Sequence, residues 1–531
     1  MAKKKEEKKE TKASAAKAPK PVDPQGAPAP GEAPAPEVPE TVPAGALVGG
    51  PASEAKSKAV SRSQTARQSA SFGRDRANRI ARNSVTSMDV MAAARNPVSM
   101  RTYEDTYGVA VRAPKTVTNQ RQSGRCWMFS TLNVLRTETC RLLDIDDFEF
   151  SQAYGMFYDK LEKANSFLEN VIGTATLPYD DRAVTFLLEH PADDGGQWRF
   201  AANLIEKWGV VPKDAMPETA CSKDSAQMNR YLARLLRRDA AELRAVAQAG
   251  DGVTALRRRK QQMMKDVHRM LCICLGEPPA AVDFICEVGP GAKADEAKIA
   301  PQGGTAPTGD AKPKRILRDA GLTPQQFQAA YAPFDSSEYV DLLSCPGEDR
   351  PFGHAFGVRW MDSVEGAPLT RFLNVDPEVL EDAAVASLKA GEPLYMACDV
   401  AQEFARHISD FPGVLGLDTI DASSLFDVDL GLDKATMYDV RETQLTHAMT
   451  FQGVELGADG RPAAWRVENS WGKDACKDGY LIMSAPWFQA YGGEVVVRRE
   501  FVDEETLKLW DSVPTEMRDP WGAIGACALS D

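Results

Sequence analysis

No apolar run in the 531-residue chain reaches the roughly 18 residues that a spanning helix needs, so a helical membrane protein is not expected. The N-terminus is basic, through Lys3-Lys4-Lys5 and Lys8-Lys9, but no apolar stretch follows it, and no secretory signal is expected. Positive charge is not in excess. The chain has 63 Lys and Arg against 76 Asp and Glu, a net charge of −13, which argues against nucleic-acid affinity spread over the whole surface. Ten cysteines are present, but they form neither a compact small-domain framework nor a repeated Cys-x-x-Cys pair. Cys272-Ile273-Cys274 is too closely spaced for a zinc knuckle and has no second pair. Reduced thiols in a cytoplasmic chain are the expectation. At 43 % hydrophobic and 26 % charged residues, the composition is that of an ordinary globular protein with room for more than one subdomain.

What the chain does have is Gln120-Arg121-Gln122-Ser123-Gly124-Arg125-Cys126-Trp127-Met128-Phe129-Ser130. Apolar residues at Met128, Phe129, Leu132, Leu135, Leu142 and Leu143 follow helical spacing with one buried face, and Ser123-Gly124 reads as the turn before it. Cys126 therefore falls in the first turn of a helix, where unpaired N–H groups and the macrodipole favour negative charge. Thiolate is the reactive form of cysteine, and this position predicts a lowered pKa. Taken alone, such a cysteine is more often a buried structural thiol. Two distant stretches change the balance. Leu445-Thr446-His447-Ala448-Met449 and Trp465-Arg466-Val467-Glu468-Asn469-Ser470 alternate as strands, and Gly457-Ala458-Asp459-Gly460-Arg461-Pro462 between them has turn composition. A simple hairpin centred on Ala458 sets His447 directly opposite Asn469 on one face. A helix-start cysteine, a histidine and an amide to orient it make a nucleophile, a base and an orienter.

Thr118-Asn119-Gln120, Ser123-Gly124-Arg125-Cys126-Trp127 and Glu468-Asn469-Ser470-Trp471-Gly472 resemble the papain superfamily of cysteine peptidases, and more closely its bleomycin hydrolase/aminopeptidase C branch. The similarity continues through Phe150-Ser151-Gln152, Tyr158-Asp159-Lys160-Leu161-Glu162-Lys163-Ala164-Asn165, Asp194-Gly195-Gly196-Gln197-Trp198 and Val211-Pro212-Lys213. It also takes in Gly391-Glu392-Pro393, Cys398-Asp399-Val400 and Thr446-His447-Ala448-Met449. The gap from Cys126 to His447 exceeds the roughly 130–150 residues of the papain pattern, and the large insertion of the resembled branch accounts for it.

The resemblance implies an α+β, papain-like fold of two subdomains, a helical half carrying Cys126 and a β-barrel half carrying His447 and Asn469, with a large helical insertion. It implies a cysteine aminopeptidase that hydrolyses peptides through a Cys126–His447–Asn469 triad and an acyl-enzyme. Gln120, with the Cys126 N–H, would hold the oxyanion. Trp471 would shield the His447–Asn469 pair, and Gly195 and Gly196 would meet the substrate main chain. No metal and no organic cofactor are implied; a homohexamer and a cytoplasmic location are. Two other functions stay open. One is an endopeptidase or transamidase with the same triad. The other is a nucleic-acid-binding homologue, against which the acidic balance argues.

Five segments are expected along the chain. Residues 1–70 are a Lys-, Ala- and Pro-rich tail of disordered composition, with order beginning near Ser71-Phe72. The tail is a tether, a nucleic-acid-touching arm or, with Glu interleaved among its lysines, a solvated linker. Residues 71–217 form the lead-in and helical half, with helices over 77–94 (broken near Ser84), 151–170 and 198–208. Residues 218–345 form the mainly helical insertion, where Arg257-Arg258-Arg259-Lys260 reads as a solvated helix face before it reads as a nucleic-acid contact. Residues 346–505 form the β-rich half, with strands at 393–398, 480–483 and 494–497. Residues 506–531 form a C-terminal arm into the active-site cleft. The family pattern ends near Gly525-Ala526, and the further residues, extended at about 3.3–3.6 Å each, would carry the terminus past the cleft. Gly195-Gly196 reads equally well as a plain turn. His190, His354 and His407 read as structural histidines.

Overall fold

The computed structural model describes residues 60–301, 314–404 and 413–528. His407, most of the 1–70 tail and the residues after Ala528 lie outside the described residues. The chain divides into two compact units, Met1–Arg74 and Asp75–Asp531. In the first, a helix spans Arg62–Arg74, earlier than the order expected near Ser71-Phe72. Its start is set by Ser61, whose Oγ accepts from the Gln64 N–H at 3.1 Å. From there the sequence runs without proline through Ala, Gln and Arg, which favour helix.

The second unit opens with helices Arg76–Val85 and Val90–Ala94, separated just past Ser84. Its helical side holds Cys126–Leu143, Gln152–Gly173, Arg182–Glu189 and Trp198–Trp208. The longest of these four starts where the Ser151 Oγ accepts from the Tyr154 N–H at 3.0 Å. Trp127, Met128, Leu132, Phe157, Leu168 and Trp198 are buried together between these helices.

Among the described residues, eleven strands form one sheet. From one edge the order is Thr515–Arg518, Ala355–Val358, Phe372–Asn374, Tyr339–Leu343, Gly492–Arg498, Leu394–Cys398, His447–Leu456, Pro462–Glu468, Tyr480–Ser484 and Val414–Leu415. Val109–Ala110 adds to the His447–Leu456 strand. Leu394–Cys398 is buried at every position, as a strand with neighbours on both edges and cover on both faces must be. Met396, Met449, Phe451, Trp465 and Val495 form the core of this half. The two halves meet where the Cys126 helix lies on the His447 strand, and the Ser130 Oγ donates to the Met449 carbonyl at 2.6 Å.

The long helices of the insertion, Ala226–Gln248 and Val253–Leu275, fall in its first part, and a shorter one, Pro324–Tyr331, comes later. A three-stranded antiparallel sheet lies between them, ordered Val282–Val288, Arg315–Leu322, Ile299–Pro301. The Val282–Val288 strand buries alternate residues, so one covered face suffices to hold it. Tyr339–Leu343 pairs with Gly492–Arg498 and Phe372–Asn374 and so belongs to the main sheet, although it falls inside the span 218–345. Among the described residues no helix is long and apolar enough to cross a membrane.

Candidate active site

Cys126 opens the Cys126–Leu143 helix. Arg125 before it makes no side-chain cap bond; its guanidinium instead reaches Glu218 at 2.9 Å and the Ser222 carbonyl at 2.7 Å. The N–H groups at the helix start are therefore left to serve the sulfur. Burial pushes the Cys126 thiol up to about 11, while the N–H groups of Ala448, Trp127 and Cys126 itself pull it down. The lowering expected from the helix start is overturned, because the loss of solvent around the anion outweighs these dipoles. At neutral pH the thiol needs a base.

His447 and Asn469 are both buried. The His447 Nε2–H donates to Asn469 Oδ1 at 2.8 Å, and the same oxygen accepts from the Ser470 N–H at 2.7 Å. A carbonyl oxygen only accepts, so Nε2 carries the hydrogen and Nδ1 is the ring's acceptor. The Trp471 ring lies 5.0 Å from the His447 ring, and Phe404 stacks behind Trp471 at 6.2 Å. The hairpin differs from the simple one in register. Its turn centres on Asp459, with Leu456 opposite Pro462, and near the site Thr450 faces Glu468. Carried on, that ladder would set Asn469 opposite Met449, two residues from His447. An offset of two keeps both side chains on one face, and the diagonal neighbours still meet.

Gln120 is buried, and two bonds orient its amide: Nε2 donates to the Ser123 carbonyl at 2.7 Å, and the Ser470 Oγ donates to Oε1 at 2.5 Å. The Gln120 N–H also donates to the Ser470 carbonyl at 2.8 Å, which ties the segment before Cys126 to the one after Asn469. Gly195 and Gly196 line a cleft with Phe200, Trp360 and Ala528. A Cβ on Gly196 would meet the Trp127 ring at 2.6 Å, so glycine is required there by packing alone. The Gly195 carbonyl accepts from Lys163 Nζ at 2.6 Å.

Up to Ala528, the last described residue, the arm is not fully extended. Residues Ala523–Ala528 coil into a short helix, whose rise is about 1.5 Å per residue. The Ala526 carbonyl accepts from the Leu445 N–H at 3.0 Å, and the Ala528 carbonyl from Gln197 Nε2 at 2.7 Å.

Of the other singled-out residues, His190 pairs with Asp193 at 2.7 Å and His354 with Glu516 at 2.8 Å. Arg257 and Lys260 both reach Glu169, and Arg259 reaches Glu242. Among the described residues no group of three or more His, Cys, Asp and Glu is placed to hold a metal ion.

The model of the peptidase C1-like family matches residues 59–298 and 310–525. The chain belongs to the peptidase C1-like family. Aminopeptidase C of Streptococcus thermophilus is 36 % identical over 412 residues, covering 78 % of this chain and 86 % of that protein. Aminopeptidase C of Listeria innocua is 35 % identical over 446 residues, covering 84 % and 94 %. Among solved structures, PepW of Lactobacillus rhamnosis HN001 matches with a TM-score of 0.80 at 34 % identity, covering 89 % of this chain and 100 % of that one. The fold is the papain-like α+β arrangement that the motifs pointed to, and the motifs belong to the aminopeptidase C branch of the family.

Within this peptidase C1-like chain, sequence reasoning missed Ser470, which orients Gln120, and the cluster of Lys160, Lys163 and Asp194 beneath the glycine loop. Lys160 is buried in a helix whose buried residues are mostly apolar, and that mismatch was the available signal. Asn469→Ala should lower kcat by about tenfold to hundredfold, the scale of a misplaced group, because it frees the imidazole without removing it. A loss as complete as that of a Cys126 variant would rule out a purely orienting role.

Proposed function

We propose that this enzyme, a papain-like cysteine aminopeptidase, removes N-terminal residues from peptides through Cys126, His447 and Asn469. The observation that carries the reading is the buried 2.8 Å bond from His447 to Asn469, beside a thiol at an uncapped helix start. His447 Nδ1 takes the proton of the Cys126 thiol, giving a thiolate–imidazolium pair. The thiolate attacks the peptide carbonyl, and the Cys126 N–H with Gln120 Nε2 holds the negative charge that develops on its oxygen. The imidazolium then protonates the leaving amine, and water, deprotonated by His447, hydrolyses the acyl-enzyme. Gly195 and Gly196 are the proposed main-chain contacts of the substrate. Trp471 keeps water from the His447–Asn469 bond.

The exopeptidase part of the reading is supported by the arm: Ala528, held by Gln197, lines the same cleft as Gly195 and Gly196, where it would limit how far a peptide extends. All ten cysteines are free thiols, which suits the proposed cytoplasmic location. A homohexamer belongs to the same proposal through family resemblance. The test compares one peptide with a free and with an acetylated N-terminus. The wild type should cleave the free-amine peptide and leave the acetylated one, and a chain ending before Trp521 should gain on the acetylated peptide. Equal cleavage of both by the wild type would replace the aminopeptidase with an endopeptidase.

A further inference from the structure

One carboxylate links four segments that the reaction depends on. Asp194 Oδ2 accepts from the Gly124 N–H at 3.1 Å and from the Ser225 Oγ. Its Oδ1 accepts from Asn229 Nδ2 at 2.7 Å and from Lys160 Nζ at 2.6 Å. Its carbonyl accepts from Trp127 Nε1 at 2.9 Å. Gly124 lies two residues before Cys126, and Gly195-Gly196 follow Asp194 directly. Ser225 and Asn229 belong to the insertion, at the start of the Ala226–Gln248 helix. The approach to Gly124 is close: a Cβ on that glycine would meet the Asp194 Cβ at 2.9 Å. Lys160, whose side chain is fully buried, has its second bond to the Ala192 carbonyl at 2.9 Å.

We propose that Asp194 is a positioning residue, which sets the Gly124–Cys126 backbone at the distance the oxyanion requires and couples the helical insertion to that backbone. It touches neither thiol nor peptide; it acts through Gly124. The inference rests on the catalytic reading of Cys126.

Only an ionised carboxylate can accept from all four donors. Burial pushes Asp194 up, but Lys160, Ser225 and Asn229 hold it well below the usual carboxylate range, so it stays charged throughout the working pH range. Other charges share its surroundings: Lys163 and Asp159 of the Gln152–Gly173 helix both feel it. Its negative charge also opposes the Cys126 thiolate. An amide in its place presents an N–H to one pair of donors whichever way it is turned. That change acts first on Gly124, whose N–H it faces directly.

Asp194→Asn in the full chain should therefore lower kcat by about tenfold to hundredfold with KM within about threefold of wild type, because misplacement falls on the transition state and not on binding. The pH profile of Cys126 alkylation by iodoacetamide should move toward acid, since the opposing charge is gone. A merely structural role would lower the thermal midpoint and leave kcat of the folded protein where it was; the alkylation profile reports the lost charge alone. Ser225→Ala, which removes one donor from the insertion side without burying a new charge, should lower kcat a few-fold at unchanged KM. A kcat at the wild-type value in folded Asp194→Asn overturns the proposal. Should Asp194→Asn fail to fold, wild-type kcat in Ser225→Ala overturns it. Activity surviving in Cys126→Ala would instead remove the catalytic reading itself, so the two failures are distinct.

Discussion

Cys126→Ala should abolish peptide hydrolysis, a loss of at least about 10⁴-fold, while its thermal midpoint should stay within about 4 °C of wild type. The side chain is small and the change removes one sulfur atom, so the helix beneath it is kept. His447→Ala should lose activity as completely, because in the proposed mechanism nucleophile and base act as one unit. The two variants differ in the thiol. Burial sets the Cys126 thiol at about 11, so without its base the thiolate fraction at pH 7 is on the order of 10⁻⁴ and grows as pH rises toward that value. Alkylation of Cys126 should therefore be fast near neutral pH in the wild type and require strongly alkaline pH in His447→Ala. Equal neutral-pH alkylation in the two proteins would show that His447 is not the base.

The second large effect concerns how the two halves are held together. Arg136, on the Cys126 helix, pairs with Glu468, the residue before Asn469, and neither side chain is exposed at all. Gln452 donates to the other Glu468 oxygen. Arg136→Met leaves a carboxylate buried and unpaired, which should cost about 3–5 kcal/mol of stability in chemical denaturation. Burial already raises the Glu468 pKa, and without Arg136 it rises further. A raised folded-state value means stability that is present at low pH and lost as pH climbs through that value, so the variant should be weakest at neutral and alkaline pH. Replacing both partners by apolar residues should recover much of the loss, since no lone charge then remains. A cost below about 1 kcal/mol for Arg136→Met, the range of an exposed pair, would mean the pair does not clamp the halves.

What could be read in the sequence was what has a local signature. The helix start at Cys126, the Trp198–Trp208 helix and the Leu394–Cys398 strand all announce themselves through periodicity and flanking turns. The hairpin was legible as two strands and a turn. Its register was not, because Gln452 and Ala463 are each an unpaired extra residue that no alternation pattern reveals. Asp194 and its partners Gly124, Lys160, Ser225 and Asn229 lie far apart in the chain, so their hydrogen bonds leave no spacing to detect. The direction of the Cys126 shift failed for a related reason: helix position is local, whereas burial is decided by everything that packs around the thiol.

The two bulges of the hairpin lie on opposite strands, one at Gln452 and one at Ala463. Each, alone, would reverse the parity with which one strand's side chains face the other's. Together they cancel, and His447 and Asn469 come out in phase. The pair behaves like two half-steps of a screw that return the thread to its starting side. Length can therefore drift at the Gly457–Arg461 tip, outside both bulges, without disturbing the His447–Asn469 bond, whereas loss of either bulge alone would turn Asn469 away from the imidazole. The hairpin is tolerant at its end and strict in its middle, and the odd residues that look like defects in the ladder are what keep His447 and Asn469 on the same face.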